Sequence, residues 1–222
     1  MRKLVISLDN ENGVKRRDFL KYEYEHVEGC FGSNVLDPYV KEVSEKIKLR
    51  YNAKPRTIAG VVGCFASKLK ALDYIVNNKI DKVILLEDDS QPVKEKEDYG
   101  DEICLLSGQI NHPHSWAKDK TWKKEGKNLE IINNFTEGVN EIDYTKYRWT
   151  QINALWIPKW EQAECLLEKI RLCKKYIHFD ILLANEKLIK KLYYPAPYKH
   201  HDYLNKSQVA TNPGVIVDYI KV

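Results

Sequence analysis

Glu87, Asp88 and Asp89 stand directly after the apolar run Val83-Ile84-Leu85-Leu86. Adjacent carboxylates repel one another, unit charges about 4 Å apart costing on the order of 1 kcal/mol in water and more where solvent is excluded. A divalent cation removes that cost. Hard carboxylate oxygens suit Mn2+ or Mg2+, ions that use one or two protein carboxylates and share the oxygens of substrate phosphates. An ion bridging two phosphates neutralises charge that develops on a departing diphosphate oxygen. The outline is that of a nucleotide-diphosphate site, with a solvated acidic turn as the plainer alternative.

Other residues could serve the same chemistry. Leu8 and Asp9 close a first apolar stretch, residues 4–8, interrupted only by Ser7; they would lie at the sheet edge of the triplet, where a base and ribose could rest, although Asp9 reads equally as a turn residue. Arg16 and Arg17, in the polar loop that follows, suit forked hydrogen bonds to phosphate, or are simply solvated. Asp180 precedes a helical pattern, so it reads as a cap worth roughly 1 kcal/mol or as a general base that deprotonates an attacking hydroxyl.

The elements that must position these groups read as α/β. Residues 83–86 are apolar on both faces of any strand they form, the pattern of a central strand covered by helices on each side. Residues 103–106 and 154–157 are similar. Val61, Phe65, Leu69, Leu72 and Val76 recur at helical spacing up to Asn77-Asn78-Lys79. A second helix opens at Pro158 with Ala163, Leu167 and Ile170 on one face, and a third follows Asp180 with Leu183, Leu188 and Leu192. In open α/β sheets ligands bind beyond the carboxyl ends of the strands, where the triplet would sit. The stretch between Gly108 and Trp149 is polar and weakly periodic, the pattern of a functional loop or lid.

A chain of 222 residues with 43% apolar side chains can bury a core of one α/β domain. Its net charge of +4, from 36 basic and 32 acidic residues spread along the chain, does not indicate nucleic acid. Five cysteines, an odd number without a CxxC pair, point to a reducing, cytoplasmic compartment. The N-terminal apolar run is too short for a signal-peptide core, and no run approaches the roughly 20 apolar residues of a transmembrane segment. The sequons at Asn134 and Asn205 therefore read as chance matches.

Residues 60–90, GVVGCFASKLKALDYIVNNKIDKVILLEDDS, resemble the signature of glycosyltransferase family 25: a Gly-Cys helix, a buried strand, then Glu-Asp-Asp. The opening LVISLD with Arg16-Arg17-Asp18 is similar to that family's first strand and arginine-containing loop. Residues 152–170, INALWIPKWEQAECLLEKI, resemble its later strand and helix, with Asp180 matching an acid that recurs beyond them. Small glycosyltransferases of large algal viruses, which decorate capsid proteins, are similar in size and layout; for a viral chain the compartment would be the host cytoplasm.

The resemblance implies an A-type glycosyltransferase fold, a Rossmann-like mixed β-sheet flanked by helices, in a single domain over residues 1–222. It implies a UDP-sugar donor, Mn2+ (or Mg2+), a glycan or glycoprotein acceptor, and inversion at the anomeric carbon. On that basis Glu87 approaches the donor's ribose, Asp88 joins the donor side, Asp89 ligates the metal and Asp180 is the catalytic base. A late histidine, His200 or His201, would add a metal ligand, with Asp202 near; an ordinary surface pair is the alternative. Residues 109–150 would form an acceptor-side loop region, with His112 and Trp116, and also His114 and Trp122, as a platform, because aromatic faces pack on the apolar faces of sugars. One departure stands out: the family places His after the serine of its helix, whereas Lys68 follows Ser67 here, so that histidine's role does not carry over. Lys68 reads as an exposed helical lysine or as a substitute cation.

Two rival functions use the same edge. One is a metal-dependent nucleotidyltransferase or phosphohydrolase, although no GxxxxGK[ST] loop supports an ATPase. The other is a nucleotide-sugar-binding module without chemistry.

Overall fold

The computed structural model describes residues 1–48, 55–111 and 126–200. The chain opens with β1 (Arg2–Ser7), α1 (Glu11–Asp18) and β2 (Glu25–Glu28), followed by α2 (Pro38–Lys46), α3 (Pro55–Asn77) and β3 (Val83–Glu87). Short strands β4 (Ser90–Pro92), β5 (Cys104–Leu105) and β6 (Gln109–Asn111) lead to α4 (Lys127–Ile132), β7 (Gly138–Glu141), β8 (Arg148–Thr150) and β9 (Ala154–Ile157). The last elements are α5 (Trp160–Leu172), α6 (Phe179–Asn185), β10 (Lys191–Tyr194) and β11 (Tyr198–His200).

Among the described residues, seven strands form one mixed sheet in the order β2-β1-β3-β9-β5-β10-β7. β1 pairs in parallel with β2 on one side and β3 on the other, so the direction of strand addition reverses at β1. β9 runs antiparallel to both β3 and β5, β10 runs parallel to β5, and β7 closes the sheet antiparallel. The carboxyl ends of β1, β2, β3, β5 and β10 therefore share one edge, and the chain enters β9 at that same edge. This α/β arrangement is compatible with a Rossmann-like fold, and the reversal beside β1 is where such sheets open a crevice.

Alternation along the strands divides the core. Leu4, Ile6, Val83, Leu85, Leu155, Ile157 and Leu192 face α2, α3, α5 and α6. Val5, Ile84, Leu86, Cys104, Ala154, Trp156 and Tyr193 face the other way, onto Leu20, Tyr99 and Tyr198. Central strands were expected to carry helices on both faces; in the described residues the second face is instead covered by Leu20, by Tyr99 from the β4–β5 connection and by Tyr198 of β11. Tyr99 packs edge-on against Trp156 and Tyr193, with centroids 5.7 and 5.0 Å away, and Trp156 Nε1 donates to Gly100 O at 2.7 Å.

Several elements depart from the sequence expectation for local reasons. The polar loop carrying Arg16 and Arg17 is the helix α1, begun by Asn10, whose side chain accepts from Gly13 N at 2.8 Å, and supported by a Glu11–Lys15 pair one turn apart. Residues 109–150 are not a plain loop: they supply β6, α4, β7 and β8, and Trp149 is buried with Nε1 donating to Ser107 O at 2.7 Å. The helix after Asp180 stops at Asn185, so Leu188 lies beyond it and Leu192 belongs to β10.

The loop after β2 presses onto α3 with no room for side chains. A Cβ on Gly32 would stand 1.8 Å from Ala59 O, and one on Gly63 2.7 Å from Cys30 O. Ser67 Oγ ties the contact, donating to Gly63 O and accepting from Cys30 N, both at 2.7 Å. Gly32→Ala must push backbone from backbone, so a urea titration is expected to show a loss of about 2 kcal/mol. A loss below about 0.5 kcal/mol, the size of an ordinary surface substitution, would deny the contact.

Candidate functional site

The register of β1 against β3 sets Ile6 opposite Glu87, so Ser7 and Asp88 leave adjacent strand ends together. Ser7 Oγ donates to Asp88 Oδ2 at 2.7 Å, and Arg16 Nη1 from α1 donates to Asp88 Oδ1 at 3.0 Å. Arg17 Nη1 donates to Leu8 O at 3.0 Å, and its other nitrogen lies 3.4 Å from Asp9 Oδ1. Neither arginine is free in solvent; each points back over the strand ends. Asp9 itself is exposed and Leu8 half-buried.

Glu87 ends β3 and meets Lys68 from α3, Nζ to Oε1 2.8 Å. Lys68 is only 6% exposed, which corrects the expectation of an exposed helical lysine: its position on α3 faces the sheet edge, and the Glu87 carboxylate makes the burial tolerable. Burial acts against the Lys68 ammonium, but Glu87 outweighs it and the pKa rises. Burial likewise raises Glu87, with Lys68 pulling back.

Asp89 has a partner far along the chain. β4 and β11 pair antiparallel with His200 opposite Ser90, which brings His200 Nδ1 to 3.3 Å from Asp89 Oδ2. Asn153 Nδ2 lies 3.4 Å from Asp89 Oδ1. The loop entering β9 is pinned from below, Ser107 Oγ accepting from Asn153 N and Ala154 N at 2.8 Å each, and Ser90 Oγ donating to Asn153 O at 2.7 Å. Asn153 is fully buried, yet its Oδ1 has no donor among the described residues.

Protein cations thus accompany all three carboxylates: Lys68, Arg16 and His200. Burial raises the Asp88 pKa despite Arg16 and Ser7. Asp89 differs, because the hydrogen bond and charge of His200 overcome burial and hold its carboxyl below the ordinary range. It is the member of the triplet most firmly ionised. Cys64, close to Glu87 and Lys68, is a neutral thiol, pushed up to about 12 by burial and then by Glu87.

His200 Nε2 lies 3.0 Å from Gln151 O, which can only accept, so this nitrogen carries a hydrogen. Burial lowers the His200 pKa, but Asp89 more than compensates and lifts it from 6.5 to about 9. A histidine whose folded pKa is raised stabilises fully below its unfolded value and loses that contribution as pH rises through the folded one. In metal-free buffer the melting temperature is therefore expected to fall between pH 6.5 and about 9, and His200→Gln should flatten the slope. Equal slopes in the two proteins would contradict the assignment.

Asp180 is the second residue of α6 and not its cap, a position held by His178. Its Oδ2 accepts from Gln151 N at 2.7 Å and its Oδ1 from Ile181 N at 2.8 Å. The structure therefore gathers Leu8, Arg16, Arg17, Glu87, Asp88, Asp89 and His200 along one edge and links Asp180 to them through Gln151. His112, Trp116, His114, Trp122, His201 and Asp202 lie outside the described residues. Ser7, Gln151 and Asn153 were not singled out from the sequence; the one signal was a polar Asn153 leading into the apolar run of β9.

Asp89 and His200 are the described residues of this edge that could hold a small divalent ion. Cis ligands about 2.1 Å from such an ion stand about 3 Å apart, close to the 3.3 Å between Nδ1 and Oδ2. With Nε2–H held by Gln151, Nδ1 is the ring nitrogen that would serve as the ligand once its proton is lost. Among the described residues no cluster of three or more His, Cys, Asp or Glu side chains is arranged to hold a metal, so further ligands would have to come from substrate, water or other groups. Two surface pockets, one beside Phe135 and Tyr147 and one beside Leu172 and Leu188, include none of these residues. No helix among the described residues is long and apolar enough to cross a membrane. No protein-family model matches the chain, and comparison with curated proteins finds no match.

Proposed function

We propose that the protein is a metal-dependent glycosyltransferase that moves a sugar from a nucleotide-sugar, a UDP-sugar, to a glycan or glycoprotein acceptor with inversion. The observation that carries this reading is the meeting of Asp89 and His200, far apart in sequence, beside the carboxyl end of central strand β3. The likeness of residues 60–90 to glycosyltransferase family 25, and a mixed sheet of the kind an A-type fold requires, support it.

On this reading Asp89 and His200 would hold Mn2+ or Mg2+, with His201, next to His200 in sequence, as a further ligand. When bound, the ion supplies Lewis-acid stabilisation of the departing diphosphate. Arg16 and Arg17 offset phosphate charge, Glu87 borders the ribose, Asp88 joins the donor side, and Leu8 and Asp9 border the base and ribose. His112 and Trp116 form the acceptor platform, and Asp180 is the carboxylate that the resemblance assigns to proton abstraction.

A module that binds the nucleotide without chemistry is favoured by one observation: the triplet already has protein cations beside it. Incubation with a panel of UDP-sugars and Mn2+, with products read by mass spectrometry, separates the possibilities. Glycosyl transfer or slow donor hydrolysis supports the transferase, and Mn2+-dependent binding without turnover supports the module. Turnover of a nucleoside triphosphate alone would support a nucleotidyltransferase or phosphohydrolase.

A further inference from the structure

Gln151 has φ 58°, a left-handed conformation that residues with side chains rarely adopt. Its peptide groups are gripped from both sides. The N–H donates to Asp180 Oδ2 at 2.7 Å, and the carbonyl accepts from His200 Nε2 at 3.0 Å. The neighbours Thr150 and Ile152 are buried, so the segment cannot swing as a loop. The second oxygen of Asp180 accepts from Ile181 N, which fixes the carboxylate on α6.

From this chain of contacts we infer that Asp180 is a positioning residue: it locks Gln151 in its left-handed conformation so that the Gln151 carbonyl aims the His200 ring at Asp89. Unusual backbone conformations persist where the surroundings over-determine them, and here the constraint has a definite output, the direction of one imidazole. Each Asp180 oxygen receives a backbone N–H, one from Gln151 and one from Ile181, so the carboxylate is held in a single direction against the Gln151 peptide. The role of the aimed ring as a metal ligand rests on the function proposed above; the aiming itself does not.

The test compares Asp180→Asn, Gln151→Val and Gln151→Gly, reading the His200 ring-nitrogen NMR shifts in metal-free protein and then the affinity for Mn2+. Asp180→Asn puts an amide donor in place of one accepting oxygen. Gln151→Val leaves Asp180 intact but sets a β-branched residue in a left-handed backbone. Both are expected to shift the His200 nitrogens, and to weaken Mn2+ binding about 10- to 100-fold, as loss of an outer-shell partner does. Gln151→Gly keeps the peptide and suits the conformation, so its His200 shifts should match the parent's and its affinity should stay within about twofold. Unchanged His200 signals in Asp180→Asn and Gln151→Val would overturn the inference. If the parent protein binds no Mn2+, the transferase reading fails, while the ring-nitrogen comparison still decides whether Asp180 positions His200.

Discussion

Asp89→Asn is expected to lower Mn2+-dependent turnover of a UDP-sugar by about a hundredfold or more, beyond the 10- to 100-fold typical of outer-shell losses. The amide matches the carboxylate in shape but gives up the charge. Asp89 is the triplet member held below the ordinary carboxylate range, and it is the one opposite an imidazole nitrogen at 3.3 Å. Asp88→Asn supplies the contrast. Its oxygens are already engaged by Ser7 and Arg16, and its pKa is raised, so a smaller loss, on the order of tenfold, is expected. Initial rates, with thermal unfolding as a check on folding, decide between them. Equal losses in the two variants would remove the reason for placing the ion at Asp89.

The second large effect concerns stability. Lys68→Met removes the ammonium from a site only 6% exposed and leaves Glu87 without its partner. Breaking a buried pair from one side costs about 3–5 kcal/mol; the Glu87 side chain retains some solvent contact, so about 3 kcal/mol is expected. The loss should depend on pH. Glu87 has a folded pKa above its ordinary value, so its proton stabilises the fold at low pH, and that contribution disappears as pH rises through the folded pKa. Without Lys68 the effect grows, so the variant should be penalised more at mildly alkaline than at mildly acidic pH. Lys68→Met combined with Glu87→Leu, which removes both charges, should recover most of the loss. A denaturant-based double-mutant cycle measures the coupling, and a neutral Lys68→Met at every pH would refute it.

How far the sequence could be read depended on whether the signal was local. The run ending in Leu86 announced β3, because a strand buried on both faces is apolar at every position, and Phe65, Leu69 and Leu72 announced α3 by their spacing. β2 went unseen, since Glu25-His26-Val27-Glu28 is an edge strand that buries only Val27. α1 was missed because its mean composition is polar and its cues are a cap and a charge pair. The aromatic second face was hidden for another reason: Tyr99, Trp156, Tyr193 and Tyr198 come from separate segments and match no helical period.

Within the site the same distinction holds. The triplet and the two arginines could be picked out by residue type, but their pairing could not. His200 reaches Asp89 only because β11 lies against β4, a long-range contact that no local pattern encodes. Lys68 looked exposed because helical lysines usually are, and its partner Glu87 sits on a different element. Gln151 carries no sequence mark at all; its importance is in its backbone.

Calorimetric titration of UDP into the protein, with saturating Mn2+ and again with a chelator, tests most directly whether an ion at Asp89 holds a diphosphate. Binding is expected with Mn2+ and its loss is expected with the chelator, and Asp89→Ala should behave with Mn2+ as the parent does without it. UDP binding of equal strength in all three titrations would contradict the account.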